Sequence, residues 1–204
     1  MRRKGTGWII LGLLLIAAAL FLALSNTVED REAGSEAVQA LQAVSEALPE
    51  QVVLQPSRRE ENLPELTQEP EIVKDMLVEH INGRDYIGVL RIPALGLELP
   101  IISQWSYPDL RVAPCRYRGN VYSSDLVICA HNYATHFGRL RELHSGDEVS
   151  VTDMEGNVFV YLVSDIETIA PSDTEAMIPG DWDLTLFTCT VGGQSRVALR
   201  CVAA

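Results

Sequence analysis

The chain has 204 residues, of which 47% are hydrophobic, and a formal net charge of −12 at pH 7. With 16 Lys and Arg against 28 Asp and Glu, it lacks the clustered cations that a phosphate backbone demands, which argues against a nucleic-acid-binding surface. Once an apolar N-terminal run and a polar stretch are set aside, about one ordinary domain remains to bury a core.

Arg2, Arg3 and Lys4 precede WIILGLLLIAAALFLAL, Trp8 to Leu24, which carries no charge. A cleaved signal has an apolar run of about 7–15 residues and a spanning helix needs about 17–25. The length therefore predicts an anchor, with a cytoplasmic tail over 1–7 and a transmembrane segment over 8–25. Ala23-Leu24-Ser25 is a small-residue site that keeps a cleaved signal open as a second reading. The basic residues before the run, with Glu29, Asp30 and Glu32 after it, predict a single-pass protein whose N-terminus is cytoplasmic and whose remainder is outside the cell membrane.

Residues 26–70 read as stalk and linker. Ser35 to Leu48, SEAVQALQAVSEAL, is rich in helix formers and places Ala37, Leu41, Val44 and Leu48 on one face. Pro49 is expected to end this helix, which reads as a solvated stalk with a weak seam for self-association. Pro49, Pro56, Pro64 and Pro70 among many glutamates continue as linker. The folded domain is expected over 71–204, entered through a short helix from Glu71 to Ile81.

From Tyr86 the pattern changes to short apolar, β-branched runs between turn residues, which predicts a mainly β domain. The candidate strands are YIGVLRI, LELPI, LVICA, EVSVTD, VFVYLVSD, LTLFTC and RVALRCV. Ser145-Gly146-Asp147 and Glu155-Gly156-Asn157 supply turns. A closed or nearly closed barrel is the economical architecture, with one helical turn at His136 to Leu143, where Phe137, Leu140 and Leu143 recur at helical spacing.

Two segments, LVICAHNY and LTLFTCTVGGQSR, each set a reactive side chain where an apolar strand ends. His131 follows the first strand, Cys189 closes the second, and Arg196 opens the last strand after Gly192-Gly193. A cysteine that attacks an amide needs a nearby cation to favour its thiolate and a proton carrier for the leaving amine. His131 suits the proton carrier. The oxygen that gains charge needs a donor, and the permanently charged guanidinium of Arg196 suits it, with Arg200 as a competitor. Strand alternation puts Cys129 on the same face as His131.

Other readings of these residues stay open. Cys115, Cys129, Cys189 and Cys201 form an even set that two disulfides would satisfy in an exported protein. Cys115, Cys129, His131 and Cys189 have acceptable ligand types for a structural zinc, although no CxxC pair supports it. A catalytically silent, membrane-tethered binding domain is the third reading. Asp147, Glu148, Asp153 and Glu155 are too scattered to argue calcium, so no metal or cofactor is expected.

Thr185-Leu186-Phe187-Thr188-Cys189 resembles the TLxTC signature of the sortase family. ICAHNY followed by HFGRL resembles that family's histidine strand, with Ala130 where the family commonly has Gly. Arg196 in SRVALRCV matches the arginine that follows the nucleophile, and GVLRIPALGLELPI resembles the family's first strands, so the likeness runs from about Tyr86 to Val202. The resemblance implies a closed eight-stranded sortase barrel with short helices behind a transmembrane helix and stalk. It implies a cysteine transpeptidase that cuts an LPxTG-like C-terminal sorting signal, holds the acyl group on Cys189 as a thioester, and transfers it to an amine. Its partners would be surface proteins with a sorting signal and a peptidoglycan precursor or a pilin lysine as acceptor. No second long apolar run follows the first, which lowers the expectation of a pilus polymerase. By position, Ile169 to Asp183 would form the substrate-facing loop, with Met177, Ile178 and Trp182 lining an apolar groove there and Thr188 as a further substrate-binding residue.

Overall fold

In the computed structural model, which describes residues 4–54, 74–173, 180, 182–190 and 192–204, the chain starts as one uninterrupted helix, α1, Lys4–Ala47. Sequence reading expects an anchor and a separate stalk helix; the structure joins them. Nothing between Ser25 and Ser35 breaks a helix, and the hydroxyls of Thr27 and Ser35 turn back to the carbonyls of Leu24 and Glu32 at 2.8 Å each. The apolar part of α1 is long enough to cross a membrane and exposes Trp8, Leu13 and Phe21.

The later turns of α1 do not form a solvated stalk. Ala37 and Val44 are buried, Leu41 and Leu48 pack beside them, and the contacts run to the barrel strands. The apolar face read from the sequence is therefore the packed face; its partner is the body of the protein. A helix face this small gains more by covering an apolar sheet than by standing in water.

The barrel strands are β3 (Arg84–Ile92), β4 (Leu97–Ile102), β5 (Cys115–Arg118), β6 (Leu126–Ala130), β7 (Glu148–Asp153), β8 (Asn157–Ile169), β9 (Leu184–Cys189) and β10 (Arg196–Ala203). They pair in the order β3-β4-β5-β6-β9-β10-β8-β7 and β7 returns to β3, which closes an eight-stranded barrel. The β4–β5 and β6–β9 pairs are parallel and the others antiparallel. Two short strands add to the outside: β1 (Val52–Leu54) pairs with β8, and β2 (Glu79–Ile81) with β3.

The β2 strand corrects the expected helix over 71–81 within its described part, since 71–73 lie outside the described residues: Lys74 to Val78 has no regular structure and Glu79–Ile81 is extended. Asn82 and Gly83 both have positive φ, 51° and 82°. That pair makes the two-residue hairpin turn that matches strand twist, so it commits the preceding residues to a strand. The helical turn expected at His136 to Leu143 appears as turns that end in a short 3₁₀ segment, Leu140–Glu142, with Phe137, Leu140 and Leu143 buried as their spacing predicts.

Alternation sorts each strand into an inner and an outer face. Leu126, Ile128, Leu184, Leu186 and Leu199 fill the barrel interior, while Val127, Cys129, Phe187 and Ala198 belong to a second apolar cluster outside it. Strands β6 and β9 are thus covered on both faces, which is why they read as unbroken apolar runs.

Candidate active site

The parallel β6–β9 ladder ends at the pair Ala130 and Thr188. The buried Thr188 hydroxyl donates to the Ala130 carbonyl at 2.8 Å and locks the two strand ends together. One residue further on, His131 and Cys189 reach the same edge of the sheet. On the other side of β9, Arg196 lies opposite Cys189 as the first cross-strand pair with β10. The strand order β6-β9-β10 therefore sets Cys189 between the histidine and arginine strands.

These three residues, with Cys129 and Thr188, line one cavity of about 210 Å³. Its apolar walls include residues that sequence reading does not single out: Trp105, Tyr107 and Leu110 from the segment between β4 and β5, Tyr117 from β5 itself, and Pro171. Ser106 caps the short helix α2, Tyr107–Leu110, by accepting from the Asp109 N–H at 3.1 Å, which turns this segment over the cavity. Tyr117 meets Phe187 edge-on at 5.2 Å and Trp105 at 6.1 Å. The signal in the sequence is the aromatic pair in WSYPDL, Trp105 and Tyr107, both exposed in the fold. Met177 and Ile178 lie outside the described residues, and Trp182 is half-buried but does not line this cavity.

The connection from Cys189 to Arg196 is tightly tied. Thr190 N–H donates to the Ser195 carbonyl at 2.9 Å, Gly193 N–H to the Thr190 carbonyl at 2.8 Å, and Gly192 and Gly193 supply positive φ. The Arg196 guanidinium donates to the carbonyls of Gly193 and Ser195, both at 3.2 Å, which fixes it at the rim. Arg200, the competitor, sits opposite Thr185, is buried, and donates to the Thr185 hydroxyl at 3.1 Å and to Glu167 at 3.4 Å. It does not line the cavity.

His131 is half-buried, and burial followed by the nearby Arg111 lowers its pKa below the ordinary imidazole value, against an opposite pull from Glu29. Cys189 is half-buried, whereas Cys115, Cys129 and Cys201 are buried. Burial pushes the Cys129 and Cys201 thiols up to about 12 and raises that of Cys115 as well. All four thiols are unpaired, so the two-disulfide reading fails. Cys115 and Cys129 face each other across β5 and β6, yet Cys129 Sγ donates to the Cys115 carbonyl at 3.5 Å instead. Among the described residues no three His, Cys, Asp or Glu are arranged to hold a metal ion, which leaves the zinc reading without support.

A family model described as the sortase domain matches residues 90–204. Among solved structures, sortase A from Corynebacterium diphtheriae, a lid mutant, is 26% identical over 59% of this chain and 71% of that one, with a TM-score of 0.53. Sortase C-1 from Actinomyces oris is 25% identical over 57% of this chain and 72% of that one, with a TM-score of 0.51. A sortase D5 transpeptidase of Clostridium perfringens, 22% identical over 59% of this chain and 79% of that one, shares the fold with a TM-score of 0.53. No curated protein matches the chain. A family match over more than half of the chain, on a barrel of the same fold, makes this protein a member of the sortase family of cysteine transpeptidases.

Proposed function

We propose that this protein is a membrane-anchored sortase that cleaves an LPxTG-like C-terminal sorting signal through a thioester on Cys189 and passes the acyl group to an amine of the cell wall. The observation that carries this reading is the shared edge at which Cys189 is flanked by the His131 and Arg196 strands on one cavity. In this mechanism Cys189 Sγ attacks the scissile carbonyl carbon as thiolate, and the carbonyl oxygen gains the negative charge. Arg196 donates N–H groups to that oxygen. His131, as imidazolium, gives its proton to the departing amine as the C–N bond breaks, which leaves the thioester. The incoming amine then attacks the same carbon, His131 takes its proton, and the Cys189 thiolate departs.

Thr188 serves as a brace below the nucleophile, and its bond to Ala130 supports that role. Met177, Ile178 and Trp182 are proposed as substrate-loop contacts, on the strength of their position before β9. Trp105, Tyr117 and Pro171 join them as apolar walls because they line the cavity. The proposed layout has a cytoplasmic tail over 1–7, a span over 8–25, a connecting segment over 26–70 and the catalytic domain over 71–204. The catalytic face is then extracellular. Its partners would be surface proteins with a sorting signal and a peptidoglycan precursor or another amine.

The test is intact-mass analysis of the full chain in detergent, incubated with LPxTG-like peptides with and without an amine, beside Cys189→Ala. A covalent adduct, or amine-dependent transfer, that vanishes in the variant is the expected result. No adduct across the panel, together with a Cys189 inert to thiol reagents, would refute the reading.

A further inference from the structure

The loop that carries His131 is held at two points. Phe137, fully buried, plugs it into the barrel core, and its N–H donates to the His131 carbonyl at 3.2 Å. Between them the chain winds tightly: the Tyr133 carbonyl accepts from the N–H groups of His136 at 3.0 Å and Gly138 at 2.8 Å, and a Cβ at Gly138 would lie 2.4 Å from the Asn132 carbonyl oxygen. The second hold comes from outside the barrel. Thr135 N–H donates to Asp30 Oδ1 at 3.2 Å, and Thr135 Oγ1 lies 2.9 Å from the same oxygen and 3.1 Å from the Asp30 carbonyl. Asp30 belongs to α1, the helix whose earlier turns form the apolar run. Gly34, one turn later, lets the helix come this close, because a Cβ there would stand 2.8 Å from Thr135 Cγ2.

Anchoring alone needs no such contact. A tether works through a flexible linker, whereas here one oxygen of the Asp30 carboxyl group lies within hydrogen-bond distance of both polar groups of one loop residue. Because the loop between Thr135 and His131 is wound on itself, a shift at Thr135 passes to the imidazole. Asp30 lies six residues after Leu24, about 9 Å along a helix that rises about 1.5 Å per residue. The apolar run and the hold on the histidine loop are thus parts of one rigid rod.

We propose that Asp30 and Thr135 are positioning residues for His131, so that the N-terminal helix is a working part of the active site as well as its anchor. This rests on the Cys189 transpeptidase reading. The groups around His131 are Glu29 from α1, Arg111 after α2, Tyr133 and His136 in its own loop, and Cys189 and Arg196 across the cavity. Release of the loop relieves the burial and the Arg111 charge that hold the His131 pKa down, and these outweigh the opposite pull of Glu29.

The experiment uses the full chain in detergent and reads amine-dependent transfer, the pH profile of Cys189 alkylation and thermal melting. Asp30→Ala and Thr135→Val are each expected to lower kcat/KM roughly tenfold or more, since displacement of a reacting group by about 1 Å can cost about 100-fold. The double variant should lose no more than the worse single one, as expected for partners in one contact. The histidine limb of the alkylation profile should move to higher pH in both, because a released imidazole is less buried. Asp30→Asn, whose amide oxygen still accepts both bonds, should recover most of the rate. Wild-type kcat/KM and an unmoved pH limb in Asp30→Ala would overturn the proposal, and so would a loss of rate that follows melting alone with the limb unmoved. A wild-type chain that forms no thioester would instead sink the transpeptidase reading, and this inference with it.

Discussion

Arg196 is the cross-strand partner of Cys189 at the open end of the β9–β10 ladder, and its guanidinium is held there by the carbonyls of Gly193 and Ser195. A single antiparallel register thus delivers a permanent cation beside the thiol without any long-range loop to position it. Arg200, four residues further along the same strand, faces Thr185 and Glu167 instead.

Arg196→Ala is therefore expected to reduce the rate of thioester formation by about 100- to 1000-fold, the usual loss when one oxyanion donor is removed. Arg200→Lys should leave that rate within a few fold and act mainly on stability. Single-turnover acylation followed by mass spectrometry separates the two; equal losses in both variants would contradict the assignment.

Thiol reagents at neutral pH should label Cys189 in the folded protein and spare Cys115, Cys129 and Cys201, whose thiols are buried and held in the neutral form. Peptide mapping after brief iodoacetamide treatment reads this directly. Labelling of Cys129 at a rate comparable to Cys189 would show that the outer cluster opens.

His136 is fully buried beside His131, and burial, then His131, lower its pKa to about 4. Because the folded pKa lies below the unfolded one, the unfolded chain binds the proton first, and stability falls as pH drops from about 6.5 towards 4. At about 1.4 kcal/mol per unit, this one residue contributes on the order of 3 kcal/mol to the acid loss. His136→Phe should flatten the melting profile between those pH values; an unchanged slope would rule this residue out as the cause.

Val44 is fully buried where α1 meets the barrel. Val44→Ala should destabilise the full chain by about 1–3 kcal/mol, from lost apolar contact and the space left behind. Chemical unfolding measures the loss. A melting curve identical to wild type would mean that the helix does not dock in solution.

Much of this protein was legible from local pattern. Continuous apolar composition marked the membrane-length run, and alternation between turn residues marked the seven strands from Tyr86 to Val202. The residue order around Cys189, His131 and Arg196 marked a candidate site through the chemistry those groups offer. The short strands β1, β2 and β5 were not legible in the same way: three or four residues hold too little pattern, and β2 was decided by the Asn82-Gly83 turn after it.

Tertiary structure alone decided what neighbours what. The apolar face of Ala37, Leu41, Val44 and Leu48 is a property of sequence, but a face does not name its partner, and only the fold set it on the barrel. Trp105 and Tyr117 reach the Cys189 cavity because β4 and β5 lie near β6 in the closed ring, a closure that no local window contains. Asp30 and Thr135 are separated by 105 positions and carry no shared motif, so their bond exists only once helix and barrel are packed. Composition and period are short-range quantities; the hold on the histidine loop depends on how the helix docks, and the choice between Arg196 and Arg200 depends on register, which is set when the strands pair.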